Sequence, residues 1–268
     1  MKLFFTDLDG TLLNRDGIVT KETLEAIHAF TAAGNKFIIS SGRSLSSIEG
    51  VVARAGLPLE KLTVISYNGS YVYDYPSRKA LIEYRIPMAD VQHFIDECDA
   101  HGQYCHAYTD TTFVARKETK ESLFYADSVR IPAQYSKQIT AALTKEPFKL
   151  LAINLEEKGP LEQLQKDLQV WIKDRYATLF SCDQLLEFID IRSGKGNAVR
   201  TVCEIYGIDP QDAYAAGDAG NDLSMLQAVG HSIAMANATD EIKAIASMIT
   251  AKDHDHDGLS PILRELSA

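Results

Sequence analysis

The sequence predicts an α/β protein with a doubly wound, parallel-sheet (Rossmann-like) core and an inserted α+β domain. Near both ends of the chain, short apolar runs alternate with amphipathic helical segments, which is the pattern of a parallel sheet covered by helices. Between these parts, aromatic and β-branched runs alternate with longer helices, so the core pattern is interrupted. With 268 residues, the chain is long enough for two domains.

The N-terminal part of the core is predicted from apolar runs and helix caps. Leu3–Phe5 is predicted as the first strand. Thr20 can cap a helix that ends at Gly34, and the next strand passes through residues 38–39. A further strand is predicted at Val64–Ser66. Strand, helix and strand therefore follow one another as in a doubly wound sheet.

The rest of the chain divides into an insertion and a return to the core. The insertion is predicted to contain helices at 89–101 and 160–173 and strand-like runs at 104–116 and 149–155. The returning core is predicted to contain a helix from Lys195 to Gly207, strands at Tyr214 and near Ile233, and a helix over 239–247. We therefore predict a core formed by residues 1–82 and 187–268, and an inserted domain at 83–186.

Two carboxylates, Asp7 and Asp9, follow the first predicted strand, and Gly10 comes next. Ligands of open parallel sheets bind at the carboxyl ends of the strands, so both acids are expected in one crevice. The first carboxylate could attack phosphorus, and the second could serve as general acid and then as base. The alternative is that Asp-Gly only marks a turn.

A second acidic loop, Gly217–Asp222, follows the apolar segment 213–216. Mg²⁺ is usually held by one or two carboxylates together with substrate phosphate and water, which Asp7, Asp218 and a neighbour could supply. Asp222 has two interpretations, since it could also cap the helix that begins near Leu223. Asp218 lies too far from that helix to cap it.

Ser41, Gly42 and Arg43 follow the second core strand and precede a helix-like stretch. A helix N-terminus attracts phosphate, and the Ser41 hydroxyl could donate to a phosphoryl oxygen. Arg43 is either a phosphate ligand or the partner of a carboxylate. Lys195 lies between two glycines at a helix start, where the helix dipole disfavours a cation, so a functional reason for this lysine is favoured over a surface position.

These segments, in this order, resemble the haloacid dehalogenase superfamily of phosphotransferases, and they span both ends of the chain. Ser66–Gly69, Ile233–Ala238 and Asp257–Gly258 resemble further signatures of its Cof-like sugar phosphatase branch. Ser41 stands where that branch commonly has threonine, which preserves the hydroxyl.

The resemblance implies a role for each motif residue. Asp7 matches the nucleophile, Asp9 the acid/base, Ser41 the phosphate-binding hydroxyl and Lys195 the charge-neutralising lysine. Asp218, with Asn221 and Asp222, matches the acidic metal motif. Asp7, Asp218 and the backbone carbonyl of Asp9 would then coordinate Mg²⁺, and the inserted domain would be a mobile cap that selects the substrate.

The expected function is a Mg²⁺-dependent phosphatase of small organic phosphates, above all sugar phosphates, that forms an aspartyl phosphate on Asp7. The predicted phosphate-binding set contains Gly10, Ser41, Gly42, Arg43, Lys195 and Asn221. The main alternative is a phosphosugar mutase of the same superfamily. A carbon–halogen hydrolase gives no reason for Asp9 and Asp218, and phosphate-accepting regulatory modules are far shorter.

Composition excludes several other classes. The net charge is -10 at pH 7 without a Lys/Arg-rich run, which disfavours nucleic acids and anionic membranes as partners. No signal-peptide core or membrane span is evident, so a cytoplasmic protein is expected. The alternating segment Asp253–Asp257 could be a transition-metal site, but a solvated loop is the favoured interpretation. The oligomeric state is left open.

Overall fold

The computed structural model describes residues 1–268 and divides into two compact units. The core unit contains residues 1–82 and 194–268, and the inserted unit contains residues 83–193. No helix combines the length and the apolar character needed to cross a membrane.

The first part of the core unit begins with the fully buried strand β1. The elements of this part are β1 (Leu3–Thr6), α1 (Lys21–Ala32), β2 (Lys36–Ser40), α2 (Leu45–Ala55), β3 (Thr63–Ser66), β4 (Tyr71–Asp74) and β5 (Lys79–Glu83). As predicted, the Thr20 side chain caps α1, accepting from the backbone N–H of Thr23. The helix α2 ends at Gly56, which has the left-handed conformation that glycine adopts easily.

The inserted unit is an α+β structure with its own sheet. Its elements are α3 (Met88–Ala100), β6 (Tyr104–Tyr108), β7 (Phe113–Ala115), α4 (Lys120–Val129), β8 (Ala133–Tyr135), α5 (Ile139–Ala142), β9 (Lys149–Ile153), α6 (Gly159–Ile172), β10 (Tyr176–Cys182) and β11 (Leu185–Asp190). The strand order is β10-β11-β9-β6-β7-β8, with only β7 and β8 parallel. A buried apolar cluster that includes Phe94, Leu164 and Phe188 forms its core.

The chain then returns to the core unit. The remaining elements are α7 (Lys195–Tyr206), β12 (Tyr214–Gly217), α8 (Leu223–Leu226), β13 (His231–Ala234), α9 (Asp240–Ile245), β14 (Met248–Ile249) and α10 (Ser260–Ser267). The inserted unit extends to Ser193 rather than to residue 186, because β11 pairs with β9 and β10 of the inserted sheet.

The core sheet has the order β14-β13-β12-β1-β2-β3-β4-β5. The strands from β14 to β3 are parallel, and β4 is antiparallel to β3. The central strand β1 lies between β12 and β2, so the order of the strands reverses at this point. In such sheets the crevice at the carboxyl ends of the strands is the ligand-binding position. The predicted α/β fold with a doubly wound core and an inserted α+β unit is confirmed.

Candidate active site

Asp7 lies directly after β1 and is buried. Its backbone N–H donates to the Ala216 carbonyl on β12, at 3.1 Å, so the parallel pairing fixes its position. The Lys195 ammonium donates to Asp7 Oδ1, at 2.5 Å, and to Asp222 Oδ1, at 2.6 Å. Asp7 is therefore a buried carboxylate paired with a buried cation.

Lys195 begins α7, and its side chain is only 1% exposed. Close packing of α7 against α8 accounts for this burial: a Cβ at Gly196 would lie 2.3 Å from the Ser224 carbonyl oxygen. Burial lowers the pKa of Lys195, but the Asp222 and Asp7 carboxylates outweigh this, and the net change is a rise. The ammonium is thus held charged at a helix end whose dipole disfavours it.

Both carboxylate oxygens of Asp222 accept hydrogen bonds. Oδ1 accepts from Lys195, and Oδ2 accepts from the backbone N–H groups of Asp218 and Ala219, at 3.0 and 3.3 Å. Its side chain makes no capping hydrogen bond to α8, so that alternative is wrong. Asp222 instead folds the acidic loop and positions Lys195. The sequence analysis did not predict the contact between Asp222 and Lys195, because these residues lie 27 positions apart in different segments of the chain.

Asp218 lies opposite the first acidic loop. The Thr11 hydroxyl donates to Asp218 Oδ1, at 2.8 Å. At Gly10, φ is +78° and an added Cβ would lie 2.5 Å from Asp218 Oδ2, so glycine is required both for conformation and for space. The two acidic loops are therefore in direct contact.

Asp7, Asp218 and Asp222 form the one cluster in the chain where three metal-ligating groups meet, with their ligand oxygens within 4.8 Å of one another. Three carboxylates face one ammonium here. Burial, reinforced by the Asp222 carboxylate, raises the pKa of Asp7 to about 8, against the opposing effect of Lys195. Burial also raises the pKa of Asp218. A surplus of carboxylate oxygens in a buried site fits a hard divalent cation.

Asp9 differs from Asp7 in exposure and partner. Its side chain is 56% exposed, and Arg43 donates to both of its oxygens from Nε and Nη2, each at 2.8 Å. Of the two interpretations of Arg43, the structure shows the carboxylate partner. A bidentate Arg–carboxylate pair fixes the plane of the carboxylate, so Arg43 orients Asp9.

Ser41 and Gly42 lie at the carboxyl end of β2. Ser41 is buried, and its carbonyl accepts from the backbone N–H of Asn68, at 3.2 Å. A Cβ at Gly42 would lie 2.8 Å from Asn68 Oδ1, so glycine allows the asparagine to approach. The carbonyl of Asn68 in turn accepts from the Gly194 N–H, at 2.7 Å, which links this loop to the start of α7.

The remaining predicted residues are Asn221 and three polar residues of the inserted unit. Asn221 is exposed on the turn Gly220–Asp222. Within the inserted unit, Asp110 pairs with Lys145 and Asn154 donates to Gln103. Arg116 pairs with Asp99 in the same unit. Asp110, Arg116 and Asn154 lie in or beside the predicted strand-like runs of the inserted unit, which makes them the sequence's candidates for substrate selection, and each has a local protein partner.

The loop Asp253–Asp257 binds protein groups and is not merely solvated. Asp255 accepts from the backbone N–H and the Nε of Arg15, both at 2.8 Å. Asp257 accepts from the Thr20 hydroxyl, and Asp253 pairs with His256, at 2.6 Å. Asp255 and Asp257 hold the chain between β1 and α1, while Asp253 binds within its own loop.

Comparisons with known proteins identify the family. A family model described as haloacid dehalogenase-like hydrolase matches residues 4–263. Among curated relatives, the putative phosphatase YxeH of Bacillus subtilis is 26% identical, with 99% of this chain and 98% of the relative covered. The 5-amino-6-(5-phospho-D-ribitylamino)uracil phosphatase YwtE of the same species is 28% identical, with the same coverage of both chains.

Solved structures share the fold over nearly the full length. A haloacid dehalogenase-like hydrolase from Bacteroides thetaiotaomicron superposes with a TM-score of 0.89 at 22% identity, covering 99% of each chain. The subclass IIB sugar phosphatase BT4131 superposes with a TM-score of 0.78 at 20% identity, covering 99% of this chain and 98% of that one. The predicted family is confirmed, and the phosphatase class is supported. The chain belongs to the haloacid dehalogenase-like hydrolases.

Proposed function

We propose that the chain is a Mg²⁺-dependent phosphatase of small organic phosphate monoesters that works through an aspartyl phosphate on Asp7. The observation that carries this proposal is the pairing of buried Asp7 with Lys195, at 2.5 Å, at the carboxyl end of the central strand. The family membership supports the same reaction class.

Asp7 and Asp9 divide the chemistry. In the first step an Asp7 oxygen attacks phosphorus, the ester P–O bond breaks, and Asp9 donates a proton to the departing alcohol oxygen. In the second step Asp9 removes a proton from a water molecule, whose oxygen attacks phosphorus. The Asp7–phosphorus bond then breaks, which releases inorganic phosphate and restores the Asp7 carboxylate.

Cationic and hydroxyl groups stabilise the charge on the phosphoryl oxygens. Lys195 supplies a fixed positive charge, and the Ser41 hydroxyl supplies a hydrogen-bond donor. Such groups are prearranged, because Asp222 holds Lys195 and the loop at Asn68 holds Ser41. Because three carboxylates outnumber this one ammonium, the site would favour a phosphate ester together with the divalent cation that the cluster fits.

The donor set fits Mg²⁺. Asp7, Asp218 and the backbone carbonyl of Asp9 would hold the cation, with Asp222 retained by Lys195 and by the backbone of its own loop. When bound, Mg²⁺ would neutralise charge between Asp7 and the phosphoryl group.

The proposed substrates are phosphates of polyhydroxylated alcohols. A phosphorylated ribityl chain is named for one relative and a sugar phosphate for one solved structure, and both carry several hydroxyls. We propose that the inserted unit acts as the cap that selects among such alcohols.

A panel of phosphate esters with and without Mg²⁺ tests the proposal. Hydrolysis of several sugar or polyol phosphates, abolished by a chelator and restored by Mg²⁺, is expected. Mass spectrometry after rapid acid quench should detect a phosphoryl adduct on the peptide that contains Asp7. A folded protein that hydrolyses no ester in Mg²⁺ would contradict the proposal, and turnover only with a sugar bisphosphate activator would indicate a mutase.

A further inference from the structure

The acid/base segment between β1 and α1 contains no helix and only an isolated bridge between Asp9 and Leu13. Its own hydrogen bonds are short-range ones, among them those from the Leu12 and Leu13 N–H groups to the Leu8 carbonyl and from the Asn14 N–H to the Ile18 carbonyl. Contacts with other parts of the chain therefore fix where the segment lies on the core. Arg43 fixes the plane of the Asp9 carboxylate, and the position of the Asp9 backbone is the remaining determinant of where this half-exposed acid lies.

Asn237 contacts this segment next to Asp9. Its Nδ2 donates to the Gly10 carbonyl, at 2.8 Å, across 227 residues of sequence. Gly10 contacts Asp218 on its α-carbon side, so its peptide is held from two directions. The adjacent residues are Asp9, the proposed acid, and Thr11, whose hydroxyl holds Asp218.

The orientation of the Asn237 amide is itself determined. Oδ1 accepts from the His254 N–H, at 3.2 Å, while Nδ2 faces a carbonyl oxygen. A rotated amide would place its oxygen against the Gly10 carbonyl and its NH₂ against an N–H, and both contacts would be repulsive. One side chain therefore connects the Gly10–Thr11 peptide to the loop Asp253–Asp257.

The same loop holds the segment further along. Asp255 binds Arg15, and Asp257 binds Thr20 at the cap of α1. The segment from Gly10 to Thr20 is thus attached at three places to residues 237–257, all within the core unit.

We propose that Asn237 is a positioning residue for the general acid: by holding the Gly10 carbonyl it fixes the backbone from which Asp9 reaches the leaving oxygen. The proposal rests on the proposed phosphatase function. A misplaced acid matters most when the leaving alcohol needs a proton, and least when the alcohol is already a good leaving group.

The test compares two esters with Asn237→Ala. For a sugar phosphate we expect kcat to fall roughly tenfold or more, since full general-acid catalysis contributes about 10²- to 10⁴-fold. For p-nitrophenyl phosphate we expect a much smaller fall, with KM little changed for both. A merely structural role would lower the amount of folded enzyme and reduce both rates alike.

Asn35→Ala is the matched control. The Asn35 side chain accepts from the Lys2 N–H, at 2.8 Å, next to the opposite end of β1, so this variant loses a comparable long-range bond away from the site. It should leave the ratio of the two rates at the wild-type value. Arg15→Ala provides a second variant that is safe for folding, because its side chain is 81% exposed, and it should shift the ratio in the same direction by less.

The outcomes separate the two proposals. A wild-type ratio of the two rates in folded Asn237→Ala would overturn the positioning role while the phosphatase activity stands. If Asn237→Ala does not fold, a wild-type ratio in Arg15→Ala would overturn it. Wild-type enzyme that hydrolyses neither ester would overturn the proposed function itself.

Discussion

Lys195 in the core unit and Lys149 in the inserted unit are both buried ammonium groups with 1% of the side chain exposed, yet they face different amounts of negative charge. Lys195 contacts Asp7 and Asp222, and Asp218 belongs to the same cluster. Lys149 pairs with Glu187, at 3.3 Å, and lies 5.0 Å from the centre of the Tyr108 ring. Lys195 faces more carboxylates than its one positive charge balances, whereas Lys149 is paired with the Glu187 carboxylate.

The pKa values show the consequence of this difference. Burial lowers the pKa of Lys149, but the Glu187 carboxylate outweighs this effect and leaves the pKa raised, so the Lys149 ammonium stays charged. Near it, burial and Lys149 hold the pKa of His106 well below its usual range, so no further charge is added. In the core unit, by contrast, Asp7 and Asp218 both have raised pKa values. The buried pair of Lys149 and Glu187 has balanced charges, which fits a structural role. The core cluster has more carboxylates than ammonium groups, so it can accept a cation.

The largest effect is expected at the centre of the unbalanced cluster. Asp7→Asn is nearly isosteric, so we expect an unchanged fold and a loss of turnover above about 10⁴-fold, or roughly 5 kcal/mol in the barrier. Steady-state hydrolysis and circular dichroism would measure both. Activity within about tenfold of wild type would exclude covalent catalysis by Asp7.

The balanced pair should govern stability instead. Glu187→Gln leaves a buried ammonium without its counter-charge, and we expect the free energy of unfolding to fall by about 3–5 kcal/mol. Replacing both partners with Lys149→Met and Glu187→Leu should restore most of that loss. Urea unfolding measures each variant.

The exposed pair of Asp110 and Lys145 in the same unit is the control for this experiment. Asp110→Asn should change stability by less than about 1 kcal/mol. If Glu187→Gln were equally mild, the inserted ion pair would not be structural.

Lys195→Met tests the cation that faces the surplus of carboxylates. We expect kcat to fall by about 10²- to 10³-fold in saturating Mg²⁺, as for the loss of one prearranged charge-stabilising group. Stopped assays with p-nitrophenyl phosphate are sufficient, because the lysine acts on the phosphoryl group. A loss limited to stability would make Lys195 equivalent to Lys149.

Asp218→Asn sharpens the metal assignment. The Mg²⁺ concentration for half-maximal activity should rise by roughly 10- to 100-fold and by a similar factor for every ester, because the carboxylate acts on a shared site. Metal titrations with two or three substrates would measure it. A shift that depended on the substrate would place Asp218 on the alcohol and not on the metal.

The smallest effect concerns pH and stability without divalent cations. The folded-state pKa of Asp7, about 8, lies above its ordinary value, so between these values the folded protein binds a proton that the unfolded chain has released. Stability should therefore fall as pH rises from about 5 towards 8. Thermal unfolding in a chelator would show this slope, and Asp7→Asn should flatten it.

Local signals account for what the sequence predicted correctly. The strand before Asp7 and the Thr20 cap each depend on neighbouring residues, so apolar runs and capping chemistry were sufficient. The contact of Lys195 with Asp222 spans 27 residues, and that of Asn237 with Gly10 spans 227. Neither contact produces a periodic pattern in the sequence from which it could be predicted. The sequence likewise cannot show that Arg43 pairs with Asp9, because this contact depends on side-chain directions that only the fold defines.

The position of β1 between β2 and β12 has a consequence for synthesis of the chain on the ribosome. β1 gains one neighbour as soon as β2 emerges, but its other edge stays unpaired until residues 214–217 have been made, after the whole inserted unit. A nascent chain of intermediate length would expose that central edge, which is a known site of wrong pairing. The inserted unit, whose sheet is formed by consecutive sequence, can fold first, and the acidic cluster is completed late.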